Sequence, residues 1–189
     1  KKNKQYKEGE CFTVGLYRPF SKEWFYSNKT WNWSRHLVPR FIPEKGAHNL
    51  IIGLTGVGET KGFTCLITNI SPNLHFIAGS QCFPLYIYDE DPNYHEGDGF
   101  LLGETGGKYI KRDAITDDGF CYFKDKYKNS RIEKEDVFYY VYGLLHSDEY
   151  RSSYADNLSK ELPRIPCVKS VEDFFEYSKA GRNLADLHL

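Results

Sequence analysis

Methionine is missing from all 189 residues. A chain with no initiator residue is expected to begin inside a longer protein, as a domain of something larger. No apolar run approaches the roughly 20 residues that a membrane-spanning helix needs. The N-terminus KKNKQYKEGE is polar throughout and has no signal-peptide core. A cytoplasmic protein with no membrane partner is therefore expected. Five cysteines are scattered (Cys11, Cys65, Cys82, Cys121, Cys167) and never spaced as C-x-x-C. Buried free thiols in a reducing compartment are expected over disulfides or zinc. The six histidines are dispersed, without an H-x-x-x-H pair.

Several chemistries lack their residues. Pro-Pro does not occur, and amino-directed methyltransferases need an Asn/Asp-Pro-Pro-aromatic loop to hold the target amine. No glycine-rich strand-to-helix turn supports a nucleotide or methyl donor. Glu59-Thr60-Lys61 is the Glu-x-Lys half of a metal-dependent nuclease site, but the upstream acidic ligand is missing, because the first aspartate in the chain is Asp89. Asp89, Asp91 and Asn93 open like a calcium loop; Tyr94 and Phe100 then occupy the positions of its glycine and glutamate. With no nucleophile elbow and no Cys/His pairing, the chain is expected to catalyse nothing by itself and to need no cofactor of its own.

What is present is unevenly distributed. Residues 1–88 carry 11 Lys and Arg against 5 acidic residues, a net of +6; residues 89–189 carry 14 against 21, a net of −7. The split suits a first half that faces a polyanion, and chance clustering over a surface accounts for it equally well. The two parts also differ in pattern. Residues 11–17, 49–54, 63–68 and 83–88 read as strands and 24–26 as a short strand or an aromatic anchor, Pro84 marking an edge position or a strand start. Between two of them, TGVGETKG at 55–62 is a glycine-rich turn without the Gly-Lys-Ser/Thr ending of a phosphate loop. The acidic stretch 89–99 reads as a solvated linker. Helical spacing then dominates: 114–127, a block over 136–166, and a last helix opened by Ser170 with Asp173 and carrying Phe174, Phe175, Leu184 and Leu187. In the block, Ser147 is expected to cap a helix whose Tyr150, Tyr154 and Leu158 form a buried stripe. The fold class is α+β. A β-rich half with a small, mostly antiparallel sheet (1–99) precedes a helical half (100–189).

Candidate contacts to nucleic acid fall in the first half. In NKTWNWSRHLVPRFIPE (28–44), basic and aromatic side chains interleave in a proline-punctuated loop, as nucleic-acid surfaces arrange cations for phosphates and planar groups for bases. A satellite core would also use those tryptophans. The tip of the 55–62 turn presents Thr60 and Lys61, within reach of a groove; a plain hairpin connection needs no more than its glycines.

The phrase FYYVYGLLHSDEYRSSYADNLSKELPRIP (138–166), with AGRNLADLHL (180–189), YRPF (17–20), WFY (24–26) and SQCFPLYIY (80–88), resembles the C-terminal region of Type ISP restriction-modification enzymes. Related wording occurs in single-chain methyltransferase-nucleases and phage-defence methyltransferases of bacteria. Glu133 departs from the pattern, standing where a Ser or Thr would open the helix. The resemblance implies a target recognition (specificity) domain, which reads a short asymmetric sequence in double-stranded DNA and presents its adenine for DNA methylation. It implies partner domains in the same polypeptide, methyltransferase and helicase-like, with S-adenosylmethionine, ATP and magnesium serving the parent enzyme. In that role Arg35, Arg40, Lys45 and Lys61 would meet phosphates or guanine edges, and Asn32 and Thr60 base edges. Arg164, between two prolines, suits a structural ion pair. The competing reading is a non-catalytic scaffold whose tyrosine-rich helices dock the methyltransferase domain.

Overall fold

The computed structural model describes residues 12–26, 37–43, 47–94, 108–128 and 131–189. Two three-stranded sheets and a hairpin precede the helices. In the first sheet β1 (Phe12–Arg18) pairs antiparallel with β2 (Ser21–Tyr26) and briefly parallel with β5 (Ser71–Pro72). In the second, β3 (Ile51–Leu54) is central, flanked antiparallel by β4 (Cys65–Thr68) and β6 (Gln81–Pro84). The third ladder joins β7 (Tyr86–Glu90) to β8 (Tyr109–Asp113). The α+β class and the mostly antiparallel β-rich first half are as expected.

Two features of the β region were not expected. The run 83–88 is not one strand: it divides at Leu85 and serves two ladders, β6 and β7. Leu85 is buried, its N–H donating to Leu50 O (2.7 Å) and its carbonyl accepting from Ala114 N (2.9 Å). Pro84 does lie in an edge strand, where a missing donor is tolerated. Secondly, β8 follows residue 99, so the β7–β8 ladder crosses that position.

The helices are α1 (Asp117–Tyr127), α2 (Lys134–Leu145), α3 (Asp148–Ser153), α4 (Ala155–Leu158) and α5 (Val171–His188). Their starts follow local chemistry. Thr116, Ser147 and Ser170 cap α1, α3 and α5 by accepting from Gly119 N, Tyr150 N and Asp173 N. At α2 the roles reverse, and Asp136 Oδ2 accepts from Glu133 N at 3.0 Å, so the helix opens without Ser or Thr. The expected Tyr150–Tyr154–Leu158 stripe does not form. The backbone leaves the helix at Tyr154 (φ −114°, ψ 19°), separating α3 from α4 and leaving that ring 38% exposed. The consecutive Ser152 and Ser153 are weak helix formers, and nothing in the sequence opposes the break.

Helix α2 is buried nearly all round, with Val137, Phe138, Tyr139, Tyr140, Tyr142, Leu144 and Leu145 inside. One continuous core joins it to Ile52, Leu54, Cys65, Ile67 and Leu85 of the β region and to Phe123 and Phe174. Tyr140 and Phe174 stack at 4.8 Å between centroids. Against α2 lies α5, whose inward positions are Phe174, Ser178, Gly181 and Ala185. Leu187, near the end of α5, is 82% exposed. The extended segment 162–168 is held by its own carbonyls: those of Arg164, Pro166 and Val168 accept from the hydroxyls of Tyr150 (2.7 Å), Tyr140 (2.6 Å) and Tyr127 (3.1 Å). Alternate carbonyls of an extended chain face one way, which suits a stretch whose prolines lack donors.

Where α2 ends, His146 Nδ1 lies 3.3 Å from an Arg151 guanidinium nitrogen, and Arg151 Nε donates to Leu145 O (2.6 Å). Burial, with the Arg151 and His188 charges added, pushes the His146 imidazole down to about 4 from 6.5. The folded state thus favours the neutral ring. Its contribution is complete above the unfolded value near 6.5 and is lost as pH falls towards 4. Urea midpoints measured at pH 7 and pH 5 should fall for the wild type and fall less for His146→Gln; equal falls would exclude this histidine as a source.

Candidate nucleic-acid interface

The β3–β4 hairpin carries Thr60 and Lys61 on its connection, both exposed. Its base is closed by threonines. Thr55 N donates to Thr64 O (3.0 Å), and Thr64 N donates to Thr55 Oγ1 (2.9 Å). Gly58, at φ 81°, makes a left-handed turn in open space. One flank of the tip rests on the loop 73–80, through Gly56 N donating to Ala78 O (3.2 Å) and the Glu59 side chain lying over Gly79. The same loop is bound to the first sheet by Asn73 N donating to Leu16 O (3.0 Å). An exposed rim thereby runs from Asn73 and His75 to Thr60 and Lys61.

Arg40 belongs to a different cluster. It ends a 3-10 turn, Val38–Arg40, and its guanidinium pairs with Asp89, which also pairs with Arg112 of β8. The turn is fixed by Asn49, a buried amide that uses both donors and both acceptors. Its Nδ2 donates to Phe41 O (2.9 Å) and Tyr86 O (2.7 Å), and its Oδ1 accepts from Leu50 N (2.9 Å) and Tyr86 N (3.0 Å). Asn49 lies before β3 and the hairpin tip after it, so Arg40 and Lys61 stand at opposite ends of that strand. Arg40 is partly exposed, but its charge is met by Asp89. Asn32, Arg35 and Lys45 lie outside the described residues. Arg164 forms the expected ion pair, to Glu161 at 3.1 Å, on an otherwise exposed side chain.

Sequence reasoning missed Asn49, Asp89 and Arg112. No spacing signals them: Arg40 and Asp89 are 49 positions apart. Near them, between β8 and the starts of α1 and α2, is an open cleft of about 490 Å3 lined by Tyr86, Lys111, Arg112, Asp113, Asp117 and Lys134. Its charges largely satisfy one another. Lys134 bonds Asp117 at 2.6 Å, which holds that carboxyl below its ordinary range, and Lys111 Nζ sits 3.5 Å from the Tyr86 ring centroid. Among the described residues no group of three or more His, Cys, Asp or Glu side chains is placed to hold a metal ion, and no helix is long and apolar enough to cross a membrane.

A family model described as the Type ISP C-terminal specificity domain matches residues 1–189. The chain belongs to this family. Solved structures resemble the specificity domain along its whole length. The ATP-dependent Type ISP restriction-modification enzyme LlaBIII bound to DNA is 33% identical with a TM-score of 0.78, over 98% of this domain and 11% of that chain. A DrdV–DNA complex is 32% identical with a TM-score of 0.81, over 98% and 16%. A nuclease-deletion mutant of the Type ISP restriction-modification enzyme LlaGI, in complex with a DNA substrate mimic, is 30% identical with a TM-score of 0.75, over 100% and 15%. The specificity domain therefore spans well under a fifth of each of these three chains. No curated protein matches it.

Proposed function

We propose that this specificity domain reads a short sequence in double-stranded DNA for a larger single-chain restriction-modification enzyme, whose other domains methylate adenine and cleave. The observation that carries this reading is the whole-chain family match, together with relatives captured on DNA. In this reading the domain is non-catalytic. S-adenosylmethionine, ATP and magnesium serve the methyltransferase, helicase-like and nuclease parts of the same bacterial polypeptide.

The rim bearing Lys61, Thr60 and His75 is the reading edge favoured by exposure and uncommitted polar groups. Thr60 suits a base edge and Lys61 a phosphate or guanine. Arg40, held by Asp89, serves the site by fixing the turn before β3, with its exposed portion left for a backbone phosphate. The tyrosines of α2, on which the scaffold reading relied, are used inside the domain: Tyr140 and Tyr142 are fully buried.

The test uses the full-length enzyme. Lys61→Ala should weaken DNA binding and reduce the slope of log affinity against log salt by about 1 if Lys61 neutralises one phosphate. Mapping methylated sites in cells should show the same short motif at lower occupancy, or a relaxed motif if Lys61 reads a base. An unchanged slope and an unchanged motif would remove Lys61 from the interface. A parent that modifies no DNA would remove the reading itself.

A further inference from the structure

The β1–β2 hairpin carries apolar surface that the domain does not use. Phe20 is 71% exposed and Trp24 is 74% exposed. Lys22 and Trp24 alternate along β2 and so share a face, and Phe20, in the turn before the strand, lines one shallow hollow with Leu16 and Lys22. Trp24 stands opposite Val14, and the Phe12–Tyr26 edge-to-face pair, 5.3 Å between centroids, continues the same face.

The turn that presents Phe20 has an unusual residue choice. Arg18 and Ser21 pair across it, Pro19 takes the position where its fixed φ is favoured, and Phe20 follows at φ 64°. Turns of this kind place glycine at the second central position, since a side chain there is strained. A bulky residue with positive φ is an outlier, and this one stays 71% exposed, with only its edge on the hollow beside Leu16 and Leu66. Strain combined with exposed aromatic area points to a contact made outside it.

Charge selects the partner. Of Phe20, Lys22 and Trp24 only Lys22 is a cation, and the neighbouring Arg18 guanidinium lies 5.0 Å from its own Tyr17 ring centroid. Two large rings with one charge match an apolar protein surface better than a polyanion. Length names the source. The domain amounts to 11% to 16% of the solved chains it resembles, and its family is described as C-terminal, so most of such a polypeptide precedes it.

We infer that the Phe20–Trp24 face of the β1–β2 hairpin docks the specificity domain onto the preceding part of its own polypeptide, with the two rings buried in the contact. Docking here leaves the 73–75 and 60–61 rim outside the contact, so orientation and reading are separate tasks of two neighbouring edges. The inference goes beyond the DNA-reading function and does not depend on it.

Hydroxyl-radical footprinting of the full-length enzyme without DNA tests this directly. Phe20 and Trp24 should oxidise about fivefold slower or more than in the urea-unfolded enzyme, as rings at the centre of an interface do. A Phe20→Gly variant relieves the turn while deleting the ring. It should speed proteolysis of the segment preceding the domain severalfold and restore oxidation at Trp24, while footprints of the buried Tyr140 and Phe174 stay unchanged. Rings oxidised at the unfolded rate overturn the inference. Protection that appears only after duplex is added also overturns it, because the hairpin would then be a nucleic-acid contact. Neither outcome depends on whether Lys61 reads DNA.

Discussion

Gly181→Ala is expected to destabilise the domain by about 3 kcal/mol or more, although alanine is the better helix former by about 1 kcal/mol. The reason is the crossing of α2 and α5. A methyl group built on Gly181 meets the carbonyl oxygen of Tyr139 and lies 2.8 Å from Gly143 N. A methyl group on Gly143 meets Tyr177 O and lies 3.1 Å from Gly181 N. The obstacles are backbone atoms of packed helices, so no side chain can swing aside. Relief requires the helices to separate, which would open the stack around Tyr140 and Phe174. Urea unfolding followed by far-UV circular dichroism checks it, with Leu187→Ala as the exposed control, expected within about 0.5 kcal/mol of wild type. A rise in midpoint for Gly181→Ala, as helix propensity alone demands, would refute the close crossing.

Asn49→Leu is expected to cost about 3 to 5 kcal/mol, since each buried polar group left without a partner costs about 1 to 3 kcal/mol. The side chain is close in volume, so the loss is one of hydrogen bonds and not of packing. Phe41 O, Tyr86 N and Tyr86 O lose their partner together, and Leu50 N loses its own. Asn49→Asp separates the contributions. It retains two acceptors but sets a carboxylate oxygen against two carbonyl oxygens, and should be as harmful as leucine or worse. Both changes should also raise hydrogen exchange in the 37–43 turn, because Phe41 is the residue after Arg40. A shift smaller than about 1 kcal/mol in either variant would mean that water replaces the amide.

Legibility followed the range of the interactions. Caps were readable because Ser147 and Ser170 act on backbone three residues away. The four strands before residue 70 were readable because β-branched and aromatic runs end at turn residues. Leu85 was not, since nothing in FPLYIY shows that two ladders share it; that depends on Leu50 and Ala114. Tyr154 matched a helical stripe that the backbone does not continue. On α5, Phe174 packs inward, and the close approach of α2 reserves the rest of that face for Ser178, Gly181 and Ala185, small residues that leave no hydrophobic signal. On the candidate edge, the exposure of Thr60 and Lys61 was legible because glycine marks a turn tip. Arg40 was found as a cation, while its partner Asp89 was assigned to a linker, because an ion pair across 49 positions leaves no local trace.

The threonine closure at the base of the β3–β4 hairpin bears on how such a domain changes over generations. Thr55 and Thr64 complete the ladder before the chain enters the tip, so beyond the Glu59 side chain over Gly79 the fold takes little from residues 57–62. Lengthening a closed loop is inexpensive, about 0.6 kcal/mol for each doubling. New sequence can therefore accumulate beyond the two threonines while the core around α2 keeps its stability, and a lineage can explore new contacts there without first having to survive a weakened fold.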